Sequence, residues 1–221
     1  GEVSQQPLYD PCCGSGTIPI EAAQIASGMA AGGQRRFGFE KLAPFQPHVW
    51  QGLKKEAEER ARRGPVPVFG SDVSHRMVDF AQRNAERAGV ASLVQLRGGD
   101  ALQRMPPAEG GVIMLNPPYG ERIEVGGVAR AGARTRGPAP GGGGGREAAQ
   151  TDDGGEFFEQ LSSHWKKNYA GWTAWVLTPD MKLPSKMRLK ESRRVPMWNG
   201  PIECRLFRFD LKAGTFRPRE A

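Results

Sequence analysis

The tetrapeptide Asn116-Pro117-Pro118-Tyr119 combines residue types suited to gripping a planar amine. An Asn amide oxygen and the neighbouring backbone carbonyls can accept hydrogen bonds from an exocyclic NH2, while an aromatic ring stacks on the base that carries it. Two successive prolines lock φ at about −65° and push the residue before them into extended geometry, so the acceptors are held in one arrangement. Asn-Pro strings also punctuate ordinary turns, and the tetrapeptide gains meaning from its position. It closes the apolar run Val112-Ile113-Met114-Leu115, the pattern of a buried strand feeding a loop.

About a hundred residues upstream, Leu8-Tyr9-Asp10-Pro11-Cys12-Cys13-Gly14-Ser15-Gly16-Thr17 reads as strand, glycine turn and helix start, with the helix predicted over 18–30. Gly14 and Gly16 permit positive φ and close approach of a ligand, and the unpaired N–H groups of the helix start favour an anionic group such as a carboxylate. No Gly-Lys-Ser/Thr follows, and the spacing Gly-x-Gly-x-x-Gly fails at Pro19, which disfavours nucleoside triphosphates and NAD. A second strand, 66–72, ends in Asp72, where doubly wound folds place an acid against ribose hydroxyls. A third, 93–97, is followed by Gly98-Gly99-Asp100, and Asp100 can face an adenine amine. Either acid alone also suits a helix N-cap or a loop. Four polar strand ends in sequence order make the stronger pattern.

These groups need a scaffold of alternating strands and helices. Residues 47–63 read as an extra helix with a Glu/Lys/Arg face toward solvent, 75–88 and 157–169 as further helices, and 171–178 as a strand rich in Trp and Val. Residues 190–197 and 203–211 form an expected antiparallel hairpin with Asn199-Gly200 at the bend. Parallel βαβ units plus one hairpin imply a seven-stranded mixed α/β sheet with helices on both faces. The chain has 221 residues, 38% of them hydrophobic, enough for one sizeable core. Its formal charge of +7 points toward a polyanionic partner. Cys12, Cys13 and Cys204 show neither metal-site nor disulfide spacing, and His48, His75 and His164 are scattered, so no metal is expected and a reducing cytoplasm is the simplest home. No apolar run is long enough for a membrane span.

In this order the motifs resemble a class I S-adenosylmethionine-dependent methyltransferase with a Rossmann-like fold. The last signature resembles that of enzymes methylating amino or amide nitrogens. Within the class the chain is similar to the bacterial 23S ribosomal RNA guanine-N2 methyltransferases that carry an N-terminal THUMP domain. Phe37-Gly38-Phe39-Glu40-Lys41, Asn116 through Arg122, Thr178-Pro179-Asp180 and Trp198-Asn199-Gly200-Pro201-Ile202-Glu203-Cys204-Arg205-Leu206 carry that resemblance. It implies S-adenosylmethionine as cofactor, held by Asp10, Cys12, Gly14, Ser15, Gly16, Thr17, Asp72, Asp100 and Asn116. It also implies catalysis by Asn116, Pro117 and Tyr119 on an unpaired or flipped guanine in RNA, without metal or covalent intermediate. The same grip serves tRNA guanine-N2 or DNA adenine-N6, and a cofactor- or RNA-binding module without turnover is the non-enzymatic alternative. The chain opens almost at the first strand and is expected to be the catalytic domain of a longer protein, lacking the THUMP region. Residues 126–155, with Gly141 through Gly145 and several arginines, are expected to be a mobile insert, either solvated or touching RNA phosphates. The basic residues Lys182, Lys186, Arg188, Lys190, Arg193 and Arg194 suit either RNA contact or a solvated helix face.

Overall fold

The computed structural model describes residues 6–61, 67–117 and 155–212. The strands are β1 (Leu8–Asp10), β2 (Val68–Asp72), β3 (Val94–Gly98), β4 (Val112–Leu115), β5 (Thr173–Thr178), β6 (Arg193–Asn199) and β7 (Ile202–Asp210). The helices are α1 (Thr17–Ala26), α2 (Pro47–Arg60), α3 (His75–Arg87), α4 (Gly155–Asn168) and α5 (Leu183–Met187), with a single 3-10 turn at Gly38–Lys41. The seven strands form one sheet in the order β3-β2-β1-β4-β5-β7-β6. Strands β1 to β5 are parallel, whereas β7 runs antiparallel to β5 and to β6.

This order reverses direction at β1. The chain winds outward through β2 to β3 and then crosses back to place β4 on the other side of β1. Loops leaving the carboxyl ends of β1 and β4 therefore diverge, and the crevice between them is where open α/β sheets accept ligands.

Alternating burial along β5 divides the sheet into two faces. On one, Tyr9, Ile113, Leu115, Ala174, Val176, Phe207 and Phe209 pack against Phe157, Phe158, Leu161 and Trp165 of α4 and Leu183 and Met187 of α5. On the other, Val68 and Val94 pack against Ile20 and Ala23 of α1 and Ala85 of α3. Small alanines bring α1 and α3 close to the strands. Helix α2 buries no residue. Its flank is an aromatic group in which Phe37 and Phe39 each meet Trp50 edge-on at 5.6 and 5.1 Å.

Most boundaries differ from the sequence reading by one to four residues, and some of the differences have a clear physical reason. Helix α1 stops at Ala26 rather than residue 30, because Ser27 turns its hydroxyl back to the carbonyls of Ala23 and Gln24 and Gly28 takes φ 71°. Helix α2 ends at Arg60 rather than residue 63, because Ala61 turns extended at φ −67° and ψ 129°. The hairpin bend is Gly200-Pro201, with Asn199 paired to Ile202. Gly200 takes φ 60°, and Pro201, locked at negative φ without an N–H, belongs in the loop rather than in β7. Finally, the basic segment 182–194 is only in part helical: α5 spans five residues and buries Leu183, Pro184 and Met187.

Because Phe207 is fully buried between β5 and α4, truncating it tests whether β7 belongs to the core. Phe207→Ala is expected to lower unfolding free energy by about 3–5 kcal/mol in urea titration.

Candidate active site

The carboxyl ends of four parallel strands deliver Asp10, Asp72, the Gly98-Gly99-Asp100 turn and Asn116 to one edge of the sheet. Asp72 is the hub. Its Oδ2 accepts the N–H of Gly14 at 2.9 Å, its Oδ1 accepts the N–H of Ser74 at 2.9 Å, and its backbone carbonyl accepts the N–H of Gly99 at 2.9 Å. One residue thus ties the glycine loop, the start of α3 and the end of β3 together. Each carboxylate oxygen carries a second lone pair, so two more donors, such as a pair of vicinal hydroxyls, can still be accepted.

The glycine loop has its shape for steric reasons. Gly16 takes φ 88°, and a Cβ there would lie 2.9 Å from the Cβ of Ala81 on α3, so both conformation and packing demand glycine. Gly14 takes φ 52°, but a Cβ on it would meet only the methyl of Met77, at 3.9 Å, which leaves its outer side open to a ligand. The N–H of Cys13 donates to the Ser71 carbonyl at 2.9 Å, and the side-chain amide of Asn84 donates to the Ser15 carbonyl at 2.8 Å. Helix α1 begins with no side-chain cap and no acid in its first turn. Its amide dipoles therefore favour an anion beside exposed Ser15 and Thr17. Cys12 is half-buried and Gly16 buried.

Asp10 lies behind the loop, 2% exposed, with Oδ1 accepting the N–H of Cys12 at 3.0 Å. Burial raises its pKa from 3.8 to about 8, against the opposing hydrogen bond from Cys12, with Asp72 adding repulsion. Desolvation likewise raises the Cys12 and Cys13 thiols, so neither is poised as a nucleophile. Beside Asp10, the Tyr9 hydroxyl meets Ser71 Oγ at 2.6 Å, and burial takes its pKa up to about 12.

The Asp100 Oδ1 accepts the N–H of Leu102 at 2.8 Å, turning the chain sharply after β3. That turn is pinned from α4 and the residue after it: Tyr169 Oη donates to the Arg104 carbonyl at 2.7 Å, and His164 Nε2 meets the same carbonyl at 2.8 Å. A carbonyl accepts only, so His164 carries its proton on Nε2, and Nδ1 accepts the Asn168 amide at 2.9 Å. His164 is thus structural, as its spacing suggests. Among the described residues no cluster of three or more His, Cys, Asp or Glu could hold a metal, and no helix is long and apolar enough to cross a membrane.

Asn116 is exposed at the end of β4 and Pro117 is buried behind it. Tyr119 and the 126–155 insert lie outside the described residues, apart from Gly155, which opens α4. The structure therefore gathers Asp10, Gly14, Asp72, Asp100 and Asn116 on one edge, with Asp10 bracing from behind. Sequence reasoning missed Ser74, Met77, Ala81 and Asn84. All four belong to the amphipathic segment at the start and along one face of α3, whose pattern carries no sign of a loop-holding role.

A titrating Asp10 sets a pH dependence of stability. Its folded pKa of about 8 lies above the unfolded value of 3.8. The stabilisation is therefore complete below pH 3.8 and is lost as pH rises toward and through 8. Asp10→Asn keeps an acceptor for Cys12 and removes the titration. Thermal melts are expected to converge in acid and to favour the variant at pH 9, by about 2–4 °C for each kcal/mol recovered. Parallel curves would contradict the buried titration.

Comparison with known proteins matches residues 1–131 to a family described as "RMKL-like, methyltransferase domain". The chain is 38% identical over 221 residues to Ribosomal RNA large subunit methyltransferase K/L of Shewanella baltica strain OS195, covering 98% of this chain and 28% of that protein. The protein of the same name from Shewanella loihica is 37% identical over 219 residues, covering 97% and 27%. Among solved structures, a candidate methyltransferase complexed with SAH superposes with TM-score 0.76 at 26% identity, covering 95% of this chain and 49% of that one. A predicted N6-adenine-specific DNA methylase from Listeria monocytogenes gives 0.72 at 28%, covering 92% and 46%. The chain thus spans little more than a quarter of the curated relatives' length.

Proposed function

Because the chain belongs to the RMKL-like methyltransferase domain family, we propose that it transfers a methyl group from S-adenosylmethionine to the exocyclic N2 of a guanine in large-subunit ribosomal RNA. The observation that carries this reading is Asn116 standing exposed at the end of β4, beside the strand that ends in the glycine loop and its Asp72 anchor. The names of the Shewanella relatives support ribosomal RNA, and the chain's charge of +7 suits a polyanion. A reaction on ribosomal RNA also suits a cytoplasmic protein.

The residues present fit the cofactor. The open side of Gly14 and the uncapped start of α1 suit its carboxylate, the spare lone pairs of Asp72 suit its ribose hydroxyls, and Asp100 suits its adenine amine. When bound, S-adenosylmethionine supplies an electrophilic methyl on a sulfonium. The guanine amine is a poor nucleophile, because its lone pair is delocalised into the ring. The Asn116 amide oxygen and the Pro117 carbonyl would accept its N–H bonds, letting the nitrogen pyramidalise. Tyr119 would stack on the base and hold it in line. A paired guanine hides N2, so the base must be unpaired or flipped, costing a few kcal/mol. After transfer the cationic amine is strongly acidic and loses its proton to water, so Asn116 need not act as a base.

A second reading, DNA adenine-N6 methylation, is favoured by the name of the Listeria neighbour, since the same acceptors suit either amine. Radiolabel transfer to protein-free large-subunit RNA, tRNA and DNA, followed by nucleoside analysis, separates them. Label in N2-methylguanosine of ribosomal RNA is expected. Asn116→Ala is expected to reduce turnover by about 10²–10³-fold while cofactor affinity stays within about threefold. Normal turnover by that variant would overturn the mechanism.

A further inference from the structure

The β6–β7 hairpin does more than complete the sheet. Thr178, the last residue of β5, pairs with Arg205, so residues 202–204 of β7 and 197–199 of β6 continue beyond it. At about 3.3 Å per residue the tip stands roughly 10 Å past the edge of the parallel strands. Because β5 points its carboxyl end that way, the overhang lies on the edge that presents Asp72 and Asn116. Leu115 pairs with Val176, which sets Asn116 level with Leu177. Three strand spacings sideways and three residues upward then separate Asn116 from Trp198 by about 15–20 Å.

Trp198 is 68% exposed, flanked at the tip by Met197 at 40% and Ile202 at 44%. Side chains alternate, so Trp198 shares its face with Pro196 and Arg194 and, through its cross-strand partners, with Glu203 and Arg205. Near this edge, Glu203 is already paired to Arg205 at 2.8 Å and Asp180 to Lys186 at 3.1 Å. These acids are therefore neutralised locally, and exposed Lys182 follows the carboxyl end of β5 on the same side. An exposed indole whose neighbouring acids are already paired to cations, on the overhang at the edge that presents Asn116 in a chain of charge +7, suits a nucleic-acid strand better than an apolar protein face. Every base offers a π-face, and stacking on such a platform tolerates sequence.

We propose that the hairpin tip clamps the substrate strand, with the Trp198 indole stacking on an unpaired nucleotide a few positions from the base held at Asn116. This inference rests on the reading of the chain as an RNA methyltransferase. It makes Trp198 a binding residue that fixes which strand geometry can reach the pocket, with no part in the transfer itself.

The test pairs two readouts on the full chain and its Trp198→Ala and Trp198→Phe variants. Fluorescence anisotropy reads affinity for labelled single-stranded oligouridylate, and radiolabel transfer to protein-free large-subunit RNA reads KM and kcat. Trp198→Ala is expected to weaken oligouridylate binding about tenfold and raise the RNA KM similarly, with kcat and cofactor affinity unchanged. Trp198→Phe, which keeps a ring, should stay within about threefold. Unchanged affinity in Trp198→Ala, or an equal loss in Trp198→Phe, would overturn the stacking role while transfer by the wild type still upholds the proposed reaction. Weakened binding in Trp198→Ala without any transfer by the wild type would support the clamp and sink the reaction instead.

Discussion

The site depends on one carboxylate holding backbone amides that no helix or strand satisfies. Asp72 takes the N–H of Gly14 and the N–H of Ser74 on its two oxygens, and its carbonyl takes the N–H of Gly99. Charge-assisted bonds to backbone amides are stronger than neutral ones; two of them tie the loops after β1 and β2, and the neutral carbonyl bond adds the loop after β3. Remove that anchor and Gly14 has no fixed position, although its neighbours would still pack. The loop is further wedged by the close approach of Gly16 to Ala81 and hung from Asn84 through the Ser15 carbonyl. Rigidity of this kind lets backbone amides act as a preformed anion site.

Packing and electrostatics then cooperate across the sheet. The small residues Ala23, Ala81 and Ala85 let α1 and α3 lie close over β1, β2 and β3, and a Cβ at Gly16 would fall against Ala81. Behind the glycine loop, burial strips Asp10 of water and raises its pKa, so at neutral pH it can sit beside Asp72 largely uncharged. A neutral Asp10 adds no negative charge behind the loop that Asp72 holds. The opposite face is filled by large aromatic residues. Tyr9, Tyr169, Trp165 and Trp172 form a rigid block, and the Tyr169 hydroxyl fixes the Arg104 carbonyl in the loop that follows Asp100.

Much of this was readable in the sequence, because strand ends carry chemistry that periodicity can locate. The strand 112–115 was bounded correctly since apolar residues end abruptly at Asn116-Pro117, and Asp72 was placed since its strand ends in Gly-Ser-Asp before an amphipathic helix. The bend of the hairpin was misplaced by one residue, because Asn-Gly is a strong turn signal while the ring of Pro201 decides which pair can leave the ladder. The 182–194 run reads as RNA contact or a solvated helix face, and the burial of α5 is not legible because its three buried residues hide in a run dominated by charge. Asn84 was illegible for a different reason: its partner Ser15 lies 69 residues away, and only the closing of the sheet brings that contact into being.

The central claim is that the carboxyl-end crevice between β1 and β4 is a preformed S-adenosylmethionine site anchored by Asp72. Calorimetric titration of the chain with S-adenosylmethionine and S-adenosylhomocysteine, beside an Asp72→Ala control that circular dichroism shows to be folded, tests it most directly. The account predicts one-to-one binding of both ligands by the wild type and a loss of at least about tenfold in the control, as expected for removing charge-assisted hydrogen bonds. No binding by the folded wild type, or equal binding by the control, would contradict it.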